Sequence, residues 1–237
     1  MIETENEMSK FRSKKAAEVQ PILYGSIVSP YVRKVAIVLD LKNIAYSLET
    51  LIPFIEKDKQ KLLNMNPLGK VPVYQDGGFM LSDSSVICAY LEKQYPDSVV
   101  YPSTSETYAT CLWYEEYADS QLIPNILTVA FNILFAARFN LRPDMNAVKN
   151  VLDNKLPQIF TYLDNEIGNK KYFVNDCFSL ADISIAVPFI NFEMAGHRVS
   201  PDKWANLSRY LDEISQEPYI AKANMLMRET LQNANIK

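Results

Sequence analysis

Residues 22–39 read ILYGSIVSPYVRKVAIVL and join a short apolar strand to a helix. Ile22 to Tyr24 are strand formers, and Gly25 frees the backbone for a turn. Ser29 occupies the N-cap position and Pro30 the first helical position, after which apolar residues recur at helical spacing. The segment therefore predicts a helix whose positive end carries a hydroxyl that can meet an anion. Ser-Pro also opens many helices for structural reasons alone, so a functional interpretation needs a pocket built by later segments.

The composition is that of a soluble globular protein with a sizeable core. Its 237 residues are 48% hydrophobic, which suits two modest domains or one large one. The chain has 24 basic and 28 acidic residues, and the scattered basic residues make nucleic acid an unexpected partner. The apolar run at 122–139 is interrupted by polar residues and Pro124, a pattern that fits a buried bundle helix better than a membrane span.

Cysteine and histidine usage excludes several kinds of site. Cys88, Cys111 and Cys177 lie far apart without a C-x-x-C pair, which is typical of reduced core thiols in a cytosolic protein. His197 is the only histidine, so a His-based metal cluster is excluded and no metal is expected. Residues 1–19 lack an apolar core, do not resemble a signal peptide, and are predicted to be a flexible polar tail.

The segments after the first helix continue an α/β pattern. Residues 45–51 alternate like a second strand, residues 54–64 form a charged helix, and the Asp-Gly-Gly turn at 76–78 joins two short apolar runs into a hairpin. The next helix begins after Leu81, with Ser82, Asp83 and Ser84 as candidate caps. These elements predict the order βαβαββα, with the first two strands in a right-handed βαβ unit.

The remainder of the chain has helical patterns only. They cover residues 106–139 with a kink near Pro124, and then 144–167, 180–195, 204–215 and the stretch from Pro218. This change of pattern predicts four units, which are a tail at 1–19, an α/β domain at 20–96, a linker at 97–104 and an all-helical domain at 105–237.

Four motifs in this order resemble the cytosolic glutathione transferase family. They are Leu23-Tyr24-Gly25 ahead of Ser29-Pro30-Tyr31, Gly69 to Val73, Leu81 to Ser84 ahead of Ile87, and Phe178 to Ile183. The resemblance covers nearly the whole chain after the tail, and a serine at the helix start is similar to tau-like, theta-like, zeta-like and bacterial members. It implies an α/β thioredoxin-like N-terminal domain followed by an all-α helical C-terminal domain that forms the electrophile site. It also implies glutathione as co-substrate, a cytoplasmic enzyme of detoxification, and a homodimer paired through the Ser84 helix and the helix after the linker.

The resemblance makes Ser29 the candidate catalytic residue. The thiol of glutathione has an ordinary pKa near ~8.5, so little thiolate exists at neutral pH unless the anion is stabilised. A hydroxyl donor and a helix N-terminus both favour the charged sulfur. Because a serine cannot form a mixed disulfide, Ser29 indicates conjugation, lyase or dehalogenase-like chemistry rather than disulfide exchange. Ser26, directly after Gly25, is the alternative donor.

The resemblance also implies the contacts to glutathione. Val71-Pro72 is similar to the family's cis-proline, which would turn the Val71 backbone outward to pair with the extended tripeptide. Lys70 pairs with the glycyl carboxylate or is simply solvated. Ser84 at a helix N-terminus suits the γ-glutamyl carboxylate, and Asp83 accepts from its ammonium. Asp83 is one methylene shorter than the usual Glu or Gln, and simple N-capping is its alternative.

Family position implies an electrophile site lined by aromatic residues between the two domains. Ile27 and Tyr31 beside Ser29, together with Trp113 and Tyr117 of the first long helix, are the predicted electrophile contacts, and further candidates by family position are Tyr114 and Phe131. Aromatic residues at helical spacing also serve as core, which is the alternative for each of them. Ser179 and Asp182 resemble the family's capping box, which has a role in folding.

The predicted function is a glutathione transferase that conjugates the glutathione thiolate to small hydrophobic electrophiles. One alternative keeps the fold and glutathione but changes the reaction to that of a lyase, isomerase, dehalogenase or peroxidase. A second alternative is a non-catalytic binding scaffold of this fold. Retention of Ser29, Val71-Pro72 and Ser84 favours an enzyme, because a scaffold has no physical need for all of them.

Overall fold

A four-stranded mixed sheet forms the first part of the chain in the computed structural model, which describes residues 20–234. The predicted tail at 1–19 lies outside the described residues. The strand order is β2-β1-β3-β4, with β1 parallel to β2, and with β3 antiparallel to both β1 and β4. The strands are β1 (Ile22–Tyr24), β2 (Ser47–Glu49), β3 (Val73–Asp76) and β4 (Phe79–Ser82).

Three helices complete the order βαβαββα and confirm the predicted thioredoxin-like fold. They are α1 (Pro30–Leu41), α2 (Glu56–Met65) and α3 (Ser84–Gln94). Helix α1 joins the two parallel strands and buries almost its whole length, because the sheet covers one side of it and helices cover the others. The hairpin between β3 and β4 turns at Gly77-Gly78, where the Asp-Gly-Gly pattern predicts it.

Among the described residues, every regular element after residue 100 is helical, which confirms the predicted all-α second part. The limits of the predicted units, 20–96, 97–104 and 105–237, stay predictions. The α-helices of this part are α4 (Ser105–Tyr117), α5 (Ile123–Ala130), α6 (Met145–Asn150), α7 (Leu156–Ile167), α8 (Leu180–Ala186), α9 (Phe189–Met194), α10 (Ala205–Ile214) and α11 (Pro218–Asn233).

Prolines explain several interruptions of the long helical patterns, although not the π-helical segment Phe131–Phe135. Segments with wider π-helical turns, Ala118–Leu122 and Val151–Lys155, end two residues before Pro124 and Pro157. A proline cannot donate to the carbonyl one turn earlier and its ring crowds that carbonyl, so a wider turn relieves the conflict. The predicted helix at 180–195 is divided in the same way, because α8 ends and α9 begins on either side of Pro188.

One core cluster continues from the sheet part into the helical part, with Leu23 at one end and Leu180 at the other. Asp182 stabilises the start of α8, since its Oδ2 accepts from the backbone N–H of Ser179 at 3.0 Å and from its hydroxyl at 3.1 Å. By length and composition, the helical stretch Ser105–Phe139 could cross a membrane. Core helices of globular proteins meet the same criteria, and Leu122 and Ile126 of this stretch are fully buried within the protein.

Gly25 provides a test of the close packing ahead of α1. A Cβ atom built on Gly25 would lie 2.5 Å from Cγ2 of Val32 and 3.0 Å from Cβ of Val71, and the backbone φ of Gly25 is +140°. We expect Gly25→Ala to lower the free energy of unfolding by about 3 kcal/mol through overpacking and backbone strain. Gly78→Ala is the matched control, since nothing lies near its added Cβ. Chemical denaturation measures both, and equal stability of the two variants would contradict the close approach.

Candidate functional site

The hydroxyl of Ser29 is available at the N-terminus of α1. Ser29 has extended backbone angles, and its side chain makes no capping hydrogen bond. The carbonyl of Ser29 accepts from the N–H of Arg33 at 3.0 Å, so the helix begins without help from the hydroxyl. The residue is half-buried, and its hydroxyl has no hydrogen-bond partner among residues 20–234.

Ser26, the alternative donor, is engaged in the turn itself. Its Oγ accepts from the backbone N–H of Val28 at 3.3 Å, and its carbonyl accepts from the N–H of Ser29 at 2.9 Å. These bonds close the loop between β1 and α1. The hydroxyl groups of the two serines therefore differ in their hydrogen bonding. That of Ser26 stabilises the loop, whereas that of Ser29 is available to bind another group.

The segment before β3 lies against this loop. The Val71–Pro72 peptide bond is cis, as predicted. The Val71 side chain is packed against Gly25, which brings the segment at 70–72 next to the loop that carries Ser29. Buried Asn66 fixes the preceding turn, because its Nδ2 donates to the carbonyl of Lys70 at 2.9 Å. The side chain of Lys70 is exposed to solvent.

Asp83 and Ser84 form the N-terminus of α3. One carboxylate oxygen of Asp83, Oδ1, accepts from the N–H groups of Ser85 at 3.0 Å and Val86 at 3.2 Å, so the capping interpretation of Asp83 holds. Its other oxygen has no partner among residues 20–234, and its φ of +77° is unusual for a residue with a side chain. Ser84 is 3% exposed at the first helical position.

A buried ionic cluster connects α1 to α3 and to the first long helix. The Lys34 ammonium, fully buried, lies 3.1 Å from Oε1 of Glu115 and 2.7 Å from Oδ2 of Asp119, and it donates to Oγ of Ser85 at 3.1 Å. Burial opposes the charge of Lys34, but the two carboxylates outweigh it and raise its pKa. The cluster therefore consists of one ammonium and two carboxylates in ionic contact at the junction of the two parts of the chain.

Tyr31 is tied to the same cluster. Its hydroxyl donates to the backbone carbonyl of Asp119 at 3.2 Å. Burial, reinforced by the charge of Asp119, raises the pKa of Tyr31 to about 12, so the phenol is neutral at physiological pH. Tyr31 thus connects the start of α1 to the long helix, and its role at an electrophile site stays a prediction.

Arg33 joins the Ser29 loop to the helical part. Its Nη1 donates to the carbonyls of Ile27 at 2.6 Å and Val28 at 2.9 Å, and its Nη2 donates to the carbonyl of Val187 at 2.7 Å. Nη2 also donates to Oδ1 of Asn191, whose Nδ2 in turn donates to the carbonyl of Val28 at 3.0 Å. Burial lowers the pKa of Arg33 to about 9, which leaves it charged at neutral pH.

Of the other predicted electrophile contacts, Ile27 lies in the Ser29 loop itself, whereas Trp113 and Tyr117 pack elsewhere. Ile27 is 3% exposed and belongs to the core. Trp113 and Tyr117 lie about half a turn around the long helix from Glu115, the residue that faces Lys34. Both pack on Tyr162, with a bond of 2.7 Å from the Trp113 indole N–H to the Tyr162 hydroxyl. They line a surface groove between α4 and α7 that includes none of the predicted glutathione contacts.

Phe54 and two phenylalanines of the segment at 131–139 form an aromatic cluster that the sequence pattern does not predict as a group. The ring of Phe54, ahead of α2, is 4.7 Å from that of Phe131 and 5.3 Å from that of Phe139. Phe135 of the same segment packs with Val28 on the apolar cluster of Ile190, Met227 and Leu231. Through Phe135, the segment at 131–139 therefore shares a packing cluster with Val28 of the Ser29 loop. Of these aromatic residues, the sequence makes only Phe131 a candidate.

Some charged residues beside the candidate site were not predicted, although the sequence carries signals for them. Arg33 and Lys34 interrupt the apolar stripe of a helix that is otherwise apolar enough to be buried, and buried cations need partners. Glu115 and Asp119 are spaced four residues apart on a helix, which places both carboxylates on one face. Among residues 20–234, no group of three or more His, Cys, Asp and Glu side chains is arranged to hold a metal ion.

Comparison with known proteins identifies relatives of both parts of the chain. The model of the glutathione S-transferase N-terminal domain matches residues 23–99, and that of the C-terminal domain matches residues 122–218. A glutathione S-transferase of Triticum aestivum is 29% identical over 204 residues, or 85% of this chain and 92% of that protein. Glutathione S-transferase F13 of Arabidopsis thaliana is 27% identical over 208 residues, or 85% of this chain and 94% of that protein.

Solved structures with the same fold include plant glutathione transferases. Glutathione transferase F7 of Populus trichocarpa superposes with a TM-score of 0.76 at 19% identity, covering 87% of this chain and 99% of that one. A glutathione S-transferase-I bound with lactoylglutathione superposes with a TM-score of 0.77 at 21% identity, covering 88% of this chain and 100% of that one. At these identities the likeness concerns the fold.

The buried ionic cluster gives a stability prediction. We expect Lys34→Met to lower the free energy of unfolding by about 3 to 5 kcal/mol, because it leaves Glu115 and Asp119 buried without their cation. Lys149→Met is the matched control, since it breaks an exposed pair with Asp153 worth at most about 0.5 kcal/mol. Urea denaturation of both variants measures the difference. A loss for Lys34→Met as small as that of the control would show that the carboxylates do not depend on Lys34.

Proposed function

Because this chain belongs to the cytosolic glutathione transferase family, we propose that it conjugates the thiolate of glutathione to small hydrophobic electrophiles. The observation that carries this proposal is the unpartnered hydroxyl of Ser29 at the N-terminus of α1. A hydroxyl in this position is a ready donor to an anion, and no other group among residues 20–234 competes for it. The engagement of Ser26 in the turn supports Ser29 as the residue that meets the sulfur.

In this mechanism Ser29 stabilises the thiolate and forms no covalent bond. The thiol proton leaves to solvent, and the hydroxyl of Ser29 donates a hydrogen bond to the sulfur anion. The N-terminus of α1 adds a favourable dipole. The sulfur then attacks the electrophilic carbon, which either releases its leaving group with the bonding electron pair or takes up the charge by addition.

The glutathione backbone is proposed to extend along the segment at 70–72. Val71 offers its backbone to the peptide, and Lys70 offers an exposed ammonium to the glycyl carboxylate. At the other end, Ser84 and the N-terminus of α3 receive the γ-glutamyl carboxylate. Asp83 can cap α3 and bind the ammonium at the same time, because only one of its carboxylate oxygens is used by the cap.

The electrophile is proposed to bind between the Ser29 loop and the aromatic cluster of Phe54, Phe131 and Phe139. These rings supply an apolar surface that suits a small hydrophobic electrophile. Phe135 of the same segment shares a packing cluster with Val28 of the Ser29 loop, which supports placing the electrophile there. Tyr31 contributes its ring, since its hydroxyl is already bound to Asp119. This assignment replaces Trp113 and Tyr117, which pack on Tyr162 instead.

A homodimer in the cytoplasm is the proposed form of the protein. Exposed apolar side chains occur on the hairpin and on α3 and α4, and α3 and α4 are the two helices through which the family resemblance implies pairing; these side chains form an exposed apolar strip. Phe79 is 48% exposed, Val86 is 50% exposed and Leu112 is 37% exposed, and a second copy of the chain would cover them. The cysteines Cys88, Cys111 and Cys177 are all free, which is typical of a reducing compartment.

The role of Ser29 is tested by comparing Ser29→Ala with Ser26→Ala. We expect Ser29→Ala to reduce kcat/KM for an aryl halide by about 100-fold, because one donor to a developing or bound anion is lost. Its stability should be unchanged, since the hydroxyl makes no cap. Ser26→Ala should behave in the opposite way, with near-parental kcat/KM and a loss of about 1 kcal/mol from the broken turn bond.

Calorimetry with glutathione separates the enzyme from the scaffold. Binding by the parent chain, together with the loss in Ser29→Ala, supports the transferase. No binding at millimolar glutathione would favour the non-catalytic scaffold, and an unchanged rate in Ser29→Ala would remove Ser29 from its role.

The dimer is tested at Val86. We expect Val86→Glu to produce a monomer in analytical ultracentrifugation, because a carboxylate would be buried without a partner in the proposed interface. Ile133→Glu is the matched control, since Ile133 is also β-branched and 40% exposed but lies outside the strip. A monomeric parent, or a Val86→Glu variant that still dimerises, would refute the proposed interface.

A further inference from the structure

Arg33 is a buried charge that no carboxylate neutralises. It is fully buried, and among residues 20–234 it binds only neutral oxygens, those of three backbone carbonyls and of the Asn191 amide. The neighbouring Lys34 shows the contrast, because two carboxylates balance its charge within the same helix. Burying an ion without a counterion costs free energy of folding, so the presence of Arg33 at this place needs a physical explanation.

The guanidinium of Arg33 contacts the backbone of the loop that carries Ser29. Arg33 is one helical turn after Ser29, and its own N–H bonds the Ser29 carbonyl. Its Nη1 bonds the carbonyl of Val28, whose carbon is covalently joined to the Ser29 nitrogen. Bond lengths therefore keep the guanidinium within roughly 8 Å of the Ser29 hydroxyl. At that separation, across a protein interior, a full charge still acts on an anion.

The other charges around α1 are already paired or engaged. Lys34 binds Glu115 and Asp119 from the long helix, and Asp83 caps α3. Several further charged groups on elements packed against α1 have partners: Glu92 of α3 pairs with Lys42, Asp182 of α8 accepts from the N–H groups of Phe173 and Ser179, Glu193 of α9 pairs with Arg198 and Arg228, and Lys222 of α11 pairs with Asp40. The other two, Lys93 of α3 and Glu229 of α11, are exposed to solvent. Arg33 is thus a buried positive charge beside the Ser29 loop that no carboxylate among residues 20–234 compensates.

We propose that Arg33, held by Asn191, is a positioning residue that fixes the loop of Ser29 and favours the thiolate form of bound glutathione through its unneutralised charge. The inference rests on the proposed function, since it concerns the sulfur that Ser29 meets. The two ends of the Asn191 amide serve both purposes, because Oδ1 accepts from Arg33 while Nδ2 donates to the Val28 carbonyl. An aspartate at position 191 would form an ion pair with Arg33 and neutralise its charge.

The first experiment changes one atom and one charge. In Asn191→Asp the acceptor for Arg33 is kept and the residue volume is nearly unchanged, but a carboxylate now contacts the guanidinium and the donor to the Val28 carbonyl is lost. We expect the pKa of the thiol of bound glutathione to rise by about one unit. The ultraviolet absorbance of the thiolate, titrated against pH, measures that pKa, and the pH profile of kcat/KM for an aryl halide should move by the same amount. Asn165→Asp, the same change at an exposed position of α7, should leave both unchanged.

A second pair of variants separates charge from position. Arg33→Lys and Arg33→Gln both lose the forked geometry that holds Val187 and Asn191, but only the second loses the charge. We expect kcat/KM to fall in both at every pH, and the thiol pKa to be about one unit higher in Arg33→Gln than in Arg33→Lys. These two variants test whether the charge of Arg33 lowers the thiol pKa even if Asn191→Asp does not fold.

The outcomes are distinct from those of the proposed function. If the parent binds glutathione with a lowered thiol pKa, and that pKa is the same in Asn191→Asp or equal in the two Arg33 variants, the charge of Arg33 plays no part and the inference is overturned. If the parent binds no glutathione, or binds it with the thiol pKa of the free tripeptide, the proposed function fails first.

Discussion

Two adjacent buried cations on α1 hold the α/β part of the chain to its helical part. Arg33 and Lys34 point in different directions, because successive residues of a helix are about 100° apart. Lys34 contacts carboxylates of the first long helix, and Arg33 contacts the junction between α8 and α9. Each partner lies far away in the sequence, so these contacts can form only when both parts have folded. The position of Ser29, one turn earlier, depends on this arrangement.

The Val187 carbonyl is free to accept a hydrogen bond from Arg33 because the helical segment is interrupted at Pro188. In a continuous helix, the carbonyl of Val187 would receive the N–H of Asn191, four residues later. Here that N–H bonds the carbonyl of Pro188 at 2.9 Å instead, since α8 ends before the proline. The Val187 carbonyl is left free inside the protein, and Arg33 satisfies it at 2.7 Å. A proline in the helical part thus creates the anchor for the loop that carries Ser29.

Features that depend on neighbouring residues were predictable from the sequence. The strand, turn and helix at 22–39, the hairpin at Gly77-Gly78 and the capping by Asp83 follow from local turn chemistry and periodicity. The cis peptide at Val71–Pro72 followed from the family resemblance. Interactions across the fold were not predictable, because periodicity shows that a residue is buried without showing what it contacts. Arg33 with Asn191, and Phe54 with Phe131, belong to this second kind.

The loop that carries Ser29 is therefore not a property of the α/β part alone. Val28 packs with Phe135 on an apolar cluster of α9 and α11, and its carbonyl is held by both Arg33 and Asn191. The proposed electrophile surface at 131–139 shares that cluster, so the two halves of the site rest on one set of buried side chains. A change in the packing of α9 or α11 would displace both the Ser29 loop and the segment at 131–139, since packed interiors transmit small displacements. For this physical reason, we expect the proposed binding of glutathione and choice of electrophile to be coupled through the helical part.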